Sequence, residues 1–278
     1  NGPRDGVVDW MQVDRIDVQD RDIGVARHWL DPTIPFASTV LEPAHGVTIT
    51  SATLQDQAPR RKPEDAAPSA GAPPHDGWQS ALALTGAIHL DHPSLRASFT
   101  SPFDYARQTK VLVVNDLERD RPEATAAAMA GLMKAAGGGG LGLFTAIRRL
   151  KAVYPALLAR LEEVDLPLYA QHIDRMNLQT LLAMFREEPE SCLLGTDAVR
   201  DGIDVPGAAL RLIVFDRMPW PRSDILFQAR AEWQGRDAWT DRITRLKLRQ
   251  AFGRLIRRAD DRGVFVMLDS RLPTRLTS

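Results

Sequence analysis

The segment "QAFGRLIRRADDRG", residues 250 to 263, places Gln250, Arg254 and Arg257 at i, i+4 and i+7. At helical spacing these three share one face, while Leu248, Phe252 and Leu255 lie about half a turn away and anchor the other. The polar face reaches outward, and its guanidinium groups stay charged and donate in a fixed planar fork. The competing reading is a solvated basic face making surface salt bridges. Gly253 weakens a helix interior by about 1 kcal/mol relative to Ala, so its presence asks for a neighbour passing close by.

A second constellation lies upstream. In "LLGTDAVRDGIDVPG" a strand ends at Leu194, and the next residues gather Gly195, Thr196, Asp197, Asp201, Gly202, Asp204, Pro206 and Gly207. Glycines admit a ligand close to the backbone. Hydroxyl and amide groups hold phosphate, and a carboxylate such as Asp204 binds a ribose hydroxyl or orients an arginine. Alone, this stretch reads equally as a long Gly/Asp turn.

Elements that must position these groups follow from the hydrophobic pattern. From residue 78 onward, short apolar runs alternate with amphipathic stretches. "KVLVVNDL", "LGLFTAI", "LPLYAQ", "SCLLGTDA", "LRLIVFD" and "GVFVMLD" read as strands, and "LRASFTSPF" as extended. "GWQSALALTGAIHL", "PEATAAAMAGLMKAAGGGG", "RRLKAVYPALLARLEE", "LQTLLAMFREE" and the long "DAWTDRITRLKLRQAFGRLIRR" read as helices. Such alternation predicts an α/β fold with a doubly wound parallel sheet, whose functional loops gather at the carboxyl ends of the strands. The first third offers extended pieces, "GVVDWMQV" and "VTITSATL", around a short helical stretch. Residues 56 to 77 are rich in Pro, Ala and charge and read as a surface linker.

Bulk composition narrows the classes. A chain of 278 residues with 44% hydrophobic and 26% charged content is an ordinary soluble globular composition, with no apolar run of membrane-spanning length. A net charge of -1 excludes wholesale attraction to polyanions and leaves room for a local basic groove. One cysteine, Cys192, excludes a disulfide framework, a cysteine zinc site and a four-cysteine iron–sulfur cluster within these residues, and fits a reducing cytoplasm. Cys192 itself reads as a core thiol. "HLDH", His89 to His92, reads as a turn with satisfied imidazoles, so no metal site is expected.

Taken in order, the motifs resemble the second motor domain of superfamily two helicases, most nearly the DinG and XPD group of Rad3-like DNA helicases. The fifth motif of that family, Gly-Val-Asp-Val-Pro-Gly, is matched by "DGIDVPG", with Asp201 where many relatives have Glu. The sixth, Gln-x-x-Gly-Arg-x-x-Arg, is matched by Gln250, Gly253, Arg254 and Arg257, followed by "DDRGVFVMLDSRL". "LGLFTAIRRL" resembles the fourth motif, with Ala146 and Ile147 in place of Ser and Tyr. "TSPFDY", residues 100 to 105, resembles the opening of the second motor domain, and "TSATL", residues 50 to 54, the third motif that closes the first.

The resemblance implies a RecA-like second motor domain over residues 78–278, a remnant of the first motor domain over 1–55, and the linker between. It implies that Arg254, Arg257 and Gln250 act on ATP, with Gly202, Asp204 and Gly253 beside the nucleotide. Thr145, Arg148, Gln171, Thr196 and Arg200 would grip single-stranded DNA through its phosphates. Arg148 reads equally as an exposed helix start. Trp220 reads as packing beneath a proline-rigid loop. No G-x-x-x-x-G-K-[ST] cradle and no Asp-Glu-Ala-His type magnesium motif occurs. Gly137 to Gly140 follow a helix and read as its stop. ATP with its Mg2+ is therefore expected to be bound mainly by the first motor domain of the same polypeptide, upstream, and these residues alone are expected to be inactive. The alternatives are a non-catalytic nucleic-acid-binding or scaffold module and an unrelated doubly wound enzyme.

Overall fold

The computed structural model describes residues 6–16, 19–55, 77–118 and 120–271. They fall into two compact units: residues up to Ser98 together with Pro221–Ile243, and Phe99–Trp220 together with the residues from Thr244 onward.

The first unit opens with an antiparallel hairpin, β1 (Val7–Ile16) and β2 (Gln19–Trp29). Asp9 and Arg27 lie opposite one another and form an ion pair at 2.7 Å, and Trp10 stacks on His28 at 4.8 Å. After it come a single helical turn, α1 (Thr33–Phe36), a π-helical turn (Ala37–Leu41) and α2 (Trp78–Thr85), which Gly86 closes at φ 79°. Residues 47–54, expected to be extended, enter no strand, because no partner among the described residues completes a ladder with them. The expected linker lies outside the described residues, apart from Gly77.

The second unit runs α3 (Tyr105–Gln108), β3 (Thr109–Val113), α4 (Pro122–Ala136), β4 (Gly140–Leu143), α5 (Ile147–Glu162), β5 (Leu168–Ala170), α6 (Leu178–Glu187), β6 (Cys192–Gly195), α7 (Asp197–Gly202) and β7 (Leu212–Phe215). The chain then passes through α8 (Ile225–Gln234) of the first unit, enters α9 (Arg236–Phe252), whose residues from Thr244 belong to the second unit, and ends in β8 (Gly263–Met267). The sheet has order β3-β8-β7-β4-β6-β5 and every neighbouring pair is parallel. The expected doubly wound α/β class is what forms.

Alternation of side chains across each strand explains why both faces are covered. Leu141, Leu143, Leu193, Ile213, Phe215, Phe265 and Met267 enter one core with Leu181 and Phe185 of α6, Val199 of α7 and Ala251 of α9. Their neighbours Cys192, Leu194, Leu212, Val214 and Val266 enter the other core. That second core is closed by Met129 and Met133 of α4 and by Leu150, Val153, Leu157 and Leu161 of α5, a helical stripe. On β4 this face carries Gly140 and Gly142, where an added Cβ would lie 2.9 Å from Met133 and 2.6 Å from Leu194. The missing side chains let α4 sit close to the sheet.

The glycine run after α4 is a helix stop, as expected. Gly137 adopts φ 65° and Gly138 φ 87°; their amides return to Lys134 and Met133, and that of Gly139 reaches Ser191. With all three donors used inside the fold, none is left for a phosphate. Arg211 seals the same helix end, donating to the Ala136 carbonyl at 2.8 Å and to that of Gly137.

Two expectations need correction. "LRASFTSPF" is irregular, and the long helix expected to reach Arg258 stops at Phe252. Beyond Gly253, Leu255 and Ile256 are both buried in the core. Long-range partners then take over the backbone: Gln108 Nε2 donates to the carbonyls of Arg258, Ala259 and Asp261 at 3.2, 3.1 and 3.0 Å. Gln250 is therefore on the helix, whereas Arg254 and Arg257 are on the turn that follows it.

Candidate functional site

Because all six strands are parallel, the sheet has a carboxyl edge and an amino edge, and the expected site residues divide between them. Thr145 and Arg148 follow β4, Gln171 follows β5 and Thr196 follows β6. The order β4-β6-β5 makes these three strand ends neighbours. Gln171 Oε1 accepts from the Thr196 amide at 3.0 Å and from its hydroxyl at 2.9 Å, fixing one to the other. Thr145 is half-buried. Arg148, in the first turn of α5, is exposed and has no side-chain hydrogen bond or ion pair among the described residues.

Arg254 and Arg257 lie between α9 and β8, at the amino edge. The expectation that function gathers only at carboxyl ends does not extend to them. Asp261, 7% exposed, builds their turn: its Oδ2 accepts from the amides of Arg257 and Arg258, both at 2.8 Å. Arg254 Nη2 donates to the Asp201 carbonyl at 3.2 Å. Arg257 pairs with Asp204 at 3.4 Å, and the two side chains are 34% and 71% exposed, so the pair contributes little to stability. Gln250 is half-buried and makes no side-chain hydrogen bond among the described residues.

Every connection in a parallel sheet runs from one edge to the other, and one of them carries residues of both groups. Between the end of β6 and the start of β7 the chain must cross from the carboxyl edge to the amino edge, and it does so through Thr196, α7 and residues 203–211. Thr196 sits at one end of this crossing, and Asp201 and Asp204 meet the arginines toward the other.

Arg200, expected to contact nucleic acid, is instead 4% exposed. Its Nη1 donates to Asp197 at 2.8 Å and its Nε and Nη2 to Asp201 at 3.0 and 3.1 Å, so two carboxylates of the same helix occupy its donors. Lys247 of α9 reaches Asp197 at 3.0 Å. Arg200 is a structural clamp on α7, and it leaves no face for a phosphate.

Gly202 and Gly253 show no close approach within the chain that demands glycine; a Cβ on Gly202 would meet only ordinary contacts, and one on Gly253 would lie 3.2 Å from the Arg249 carbonyl. Gly207 does demand it, at φ 78° beside Arg258. Gln108 and Asp261 were not among the expected site residues. Asp261 had a signal, the Asp two residues before the Gly that opens the last strand, whereas Gln108 is set by distant contacts. Trp220 packs against the core, and His89 shares a hydrogen bond with Thr33 at 3.0 Å. Burial pushes the Cys192 thiol up to about 11, as befits a core group. Among the described residues no three His, Cys, Asp or Glu gather as a metal site, and no helix is long and apolar enough to cross a membrane.

The described geometry is a parallel α/β sheet with an arginine turn at its amino edge and the Thr196–Asp204 crossing beside it. The profile described as Helicase C-terminal domain matches residues 129–278, more than half of the chain, and the chain belongs to that family. Within that family the chain is similar to DinG and YoaA helicases. The ATP-dependent helicase DinG of Mycobacterium tuberculosis is 34% identical over 210 residues, covering 71% of this chain and 31% of that protein. The ATP-dependent DNA helicase YoaA of Escherichia coli is 31% identical over 188 residues, covering 63% of this chain and 28% of its own length. A solved XPD helicase superposes with a TM-score of 0.47 at 16% identity, over 59% of this chain and 32% of that one. The chain thus spans about a third of the length of these curated relatives.

Proposed function

We propose that these residues act as the second motor domain of an ATP-dependent DNA helicase, with ATP bound mainly by a first motor domain of the same polypeptide and single-stranded DNA held along the carboxyl edge of the sheet. Arg254 and Arg257 stabilise the negative charge of the phosphoryl group in flight, and Gln250, Asp204, Gly202 and Gly253 lie on the nucleotide side. Thr145, Arg148, Gln171 and Thr196 grip the strand. Guanidinium groups fit this task because the charge is fixed and the geometry is planar.

The observation that supports this reading best is the crossing from Thr196 to Asp204. A shift of the strand at Thr196 displaces α7, and α7 carries the carbonyl and carboxylate on which Arg254 and Arg257 rest. Domain closure around ATP and stepping along DNA are thereby linked through one short segment. Arg200 serves the same link by clamping α7 from within.

The test is single-strand-stimulated ATP hydrolysis by the natural-length polypeptide, intact and as Arg257→Ala. Loss of an arginine that stabilises the transition state is expected to lower turnover by about 10³-fold or more with DNA affinity retained. These residues alone are expected to turn ATP over poorly. An Arg257→Ala polypeptide that hydrolyses ATP at the intact rate would refute the assignment.

A further inference from the structure

At the carboxyl edge the ends of β4 and β7 are joined by buried charge that the proposed grip does not use. Asp216, directly after β7, is 1% exposed. Its carboxylate accepts from Arg149 Nε at 3.3 and 3.4 Å and from Nη2 at 3.4 Å. The same guanidinium donates from Nη2 to Thr125 Oγ1 at 2.6 Å, inside α4, and from Nη1 to the Asp120 carbonyl at 3.3 Å, ahead of α4. Arg217 approaches Asp216 at 3.8 Å and pairs with Asp120 at 2.9 Å. Arg149 is therefore tied in three directions, to the end of β7, to α4 and to the chain leading into α4.

Stability alone does not account for this arrangement. A cation in the first turn of a helix faces the positive end of the helix dipole. Burial raises the Asp216 carboxyl, and Arg149, through its charge and its hydrogen bond, only partly opposes that. Well-packed apolar residues at such a pair are often as stable or more so, so its contribution to stability is a weak reason for its presence. What it specifies here is the first turn of α5. Neighbouring helical residues point about 100° apart, so holding the Arg149 side chain fixes the rotation of that turn. Arg148, exposed and without a partner among the described residues, and Thr145, just before the helix, are aimed as a consequence.

We propose that Arg149 and Asp216 are a positioning pair that orients the Thr145–Arg148 turn toward the phosphates of a single strand. This inference rests on the DNA-gripping role assigned above. Neither residue touches the strand itself. The pair acts through Arg148, and that dependence is measurable.

The experiment measures binding of a fluorescent oligo(dT) to the natural-length polypeptide by anisotropy, as a double-mutant cycle of Arg148→Ala with Asp216→Asn. A further variant, Arg149→Met with Asp216→Leu, leaves neither member of the pair charged in the interior. Urea unfolding of each variant is followed in parallel. Asp216→Asn is expected to weaken binding by roughly 2- to 30-fold in the intact background and to have almost no effect once Arg148 is Ala. Arg149→Met with Asp216→Leu is expected to recover the urea midpoint without recovering affinity. Equal losses in both backgrounds, or affinity that returns together with stability, would overturn the pair while leaving the DNA reading intact. No binding of oligo(dT) by the intact polypeptide would remove the DNA reading and the pair with it.

Discussion

Asp261→Ala is the perturbation that tests most directly how the arginine turn is built. The carboxylate accepts from two successive amides, those of Arg257 and Arg258, at 2.8 Å each. Hydrogen bonds to a charged group contribute about 1.5–3 kcal/mol apiece. Both amides belong to exposed residues, so water replaces the lost acceptor and each bond counts at the low end of that range. The expected loss is about 3 kcal/mol, with Asp261→Asn costing less because one acceptor oxygen is kept. For m of about 2 kcal/mol/M in urea, the midpoint falls by roughly 1.5 M with m unchanged. Equilibrium urea unfolding of this chain, followed by far-UV circular dichroism, reads that shift. In the natural-length polypeptide the same variant should lower ATP turnover more than DNA affinity, since only the arginine turn is disturbed. A midpoint within roughly 0.2 M of the parent would mean that Gln108 and the core residues Leu255 and Ile256 hold the turn unaided, and the account of Asp261 would be wrong.

Three further outcomes are expected. Gly138→Ala places a Cβ 2.0 Å from the Glu190 carbonyl oxygen on a backbone at φ 87°, so more than about 4 kcal/mol is lost and soluble expression should fail, whereas Gly131→Ala, with nothing near it, gains about 0.5–1 kcal/mol by urea unfolding. Burial pushes the Asp269 carboxyl up, but the Arg271 guanidinium and the amides of Met218 and Arg271 outweigh it and hold the group at about 2. Because that folded value lies below the ordinary 3.8, the roughly 2 kcal/mol it supplies is present above pH 4 and lost as pH falls toward 2; acid titration of stability should show this loss, and Arg271→Ala should diminish it. Cys192, buried and raised to about 11, should react with a thiol reagent at pH 7 to 8 only as fast as the chain unfolds, and rapid labelling of the folded protein would contradict its placement.

Legibility in the sequence followed the range of the forces involved. The strands of the second unit are short apolar runs because both faces of the sheet are covered, and Gly137 announces the end of α4 through its backbone alone. β2 escaped detection because "QDRDIGVARHW" lacks the alternation of a core-facing strand; its pairing with β1 draws on side-chain contacts such as Asp9 with Arg27. α8 had a usable signal in Asp224, whose carboxylate caps the Phe227 amide at 2.7 Å. Arg200 was also readable in part: Asp197 three residues before it predicts an ion pair within one turn, whereas the bonds to the adjacent Asp201 do not follow from helical spacing. The end of α9 was readable only in part: Gly253 is a local stop signal and Asp261 builds the next turn from nearby, but Gln108, far away in sequence, also holds it.

The division of the site between two edges of one sheet bears on why the fifth-motif segment has its composition. A crossing between edges has to stay rigid if displacement at Thr196 is to arrive at Asp204. Val199, Ile203 and Val205, all buried, nail it to the core, and Arg200 holds the carboxylates of Asp197 and Asp201. Between those anchors, Asp201 and Asp204 keep their polar groups toward Arg254 and Arg257. Gly207, at positive φ, then lets the chain turn into the approach to β7. A flexible loop with the same polar residues would bind the same ligands and transmit nothing. Replacing Ile203 by Ala, which removes an anchor without touching a polar group, should therefore reduce the DNA stimulation of ATP hydrolysis more than the unstimulated rate. Equal reduction of both rates would leave the crossing a mere scaffold.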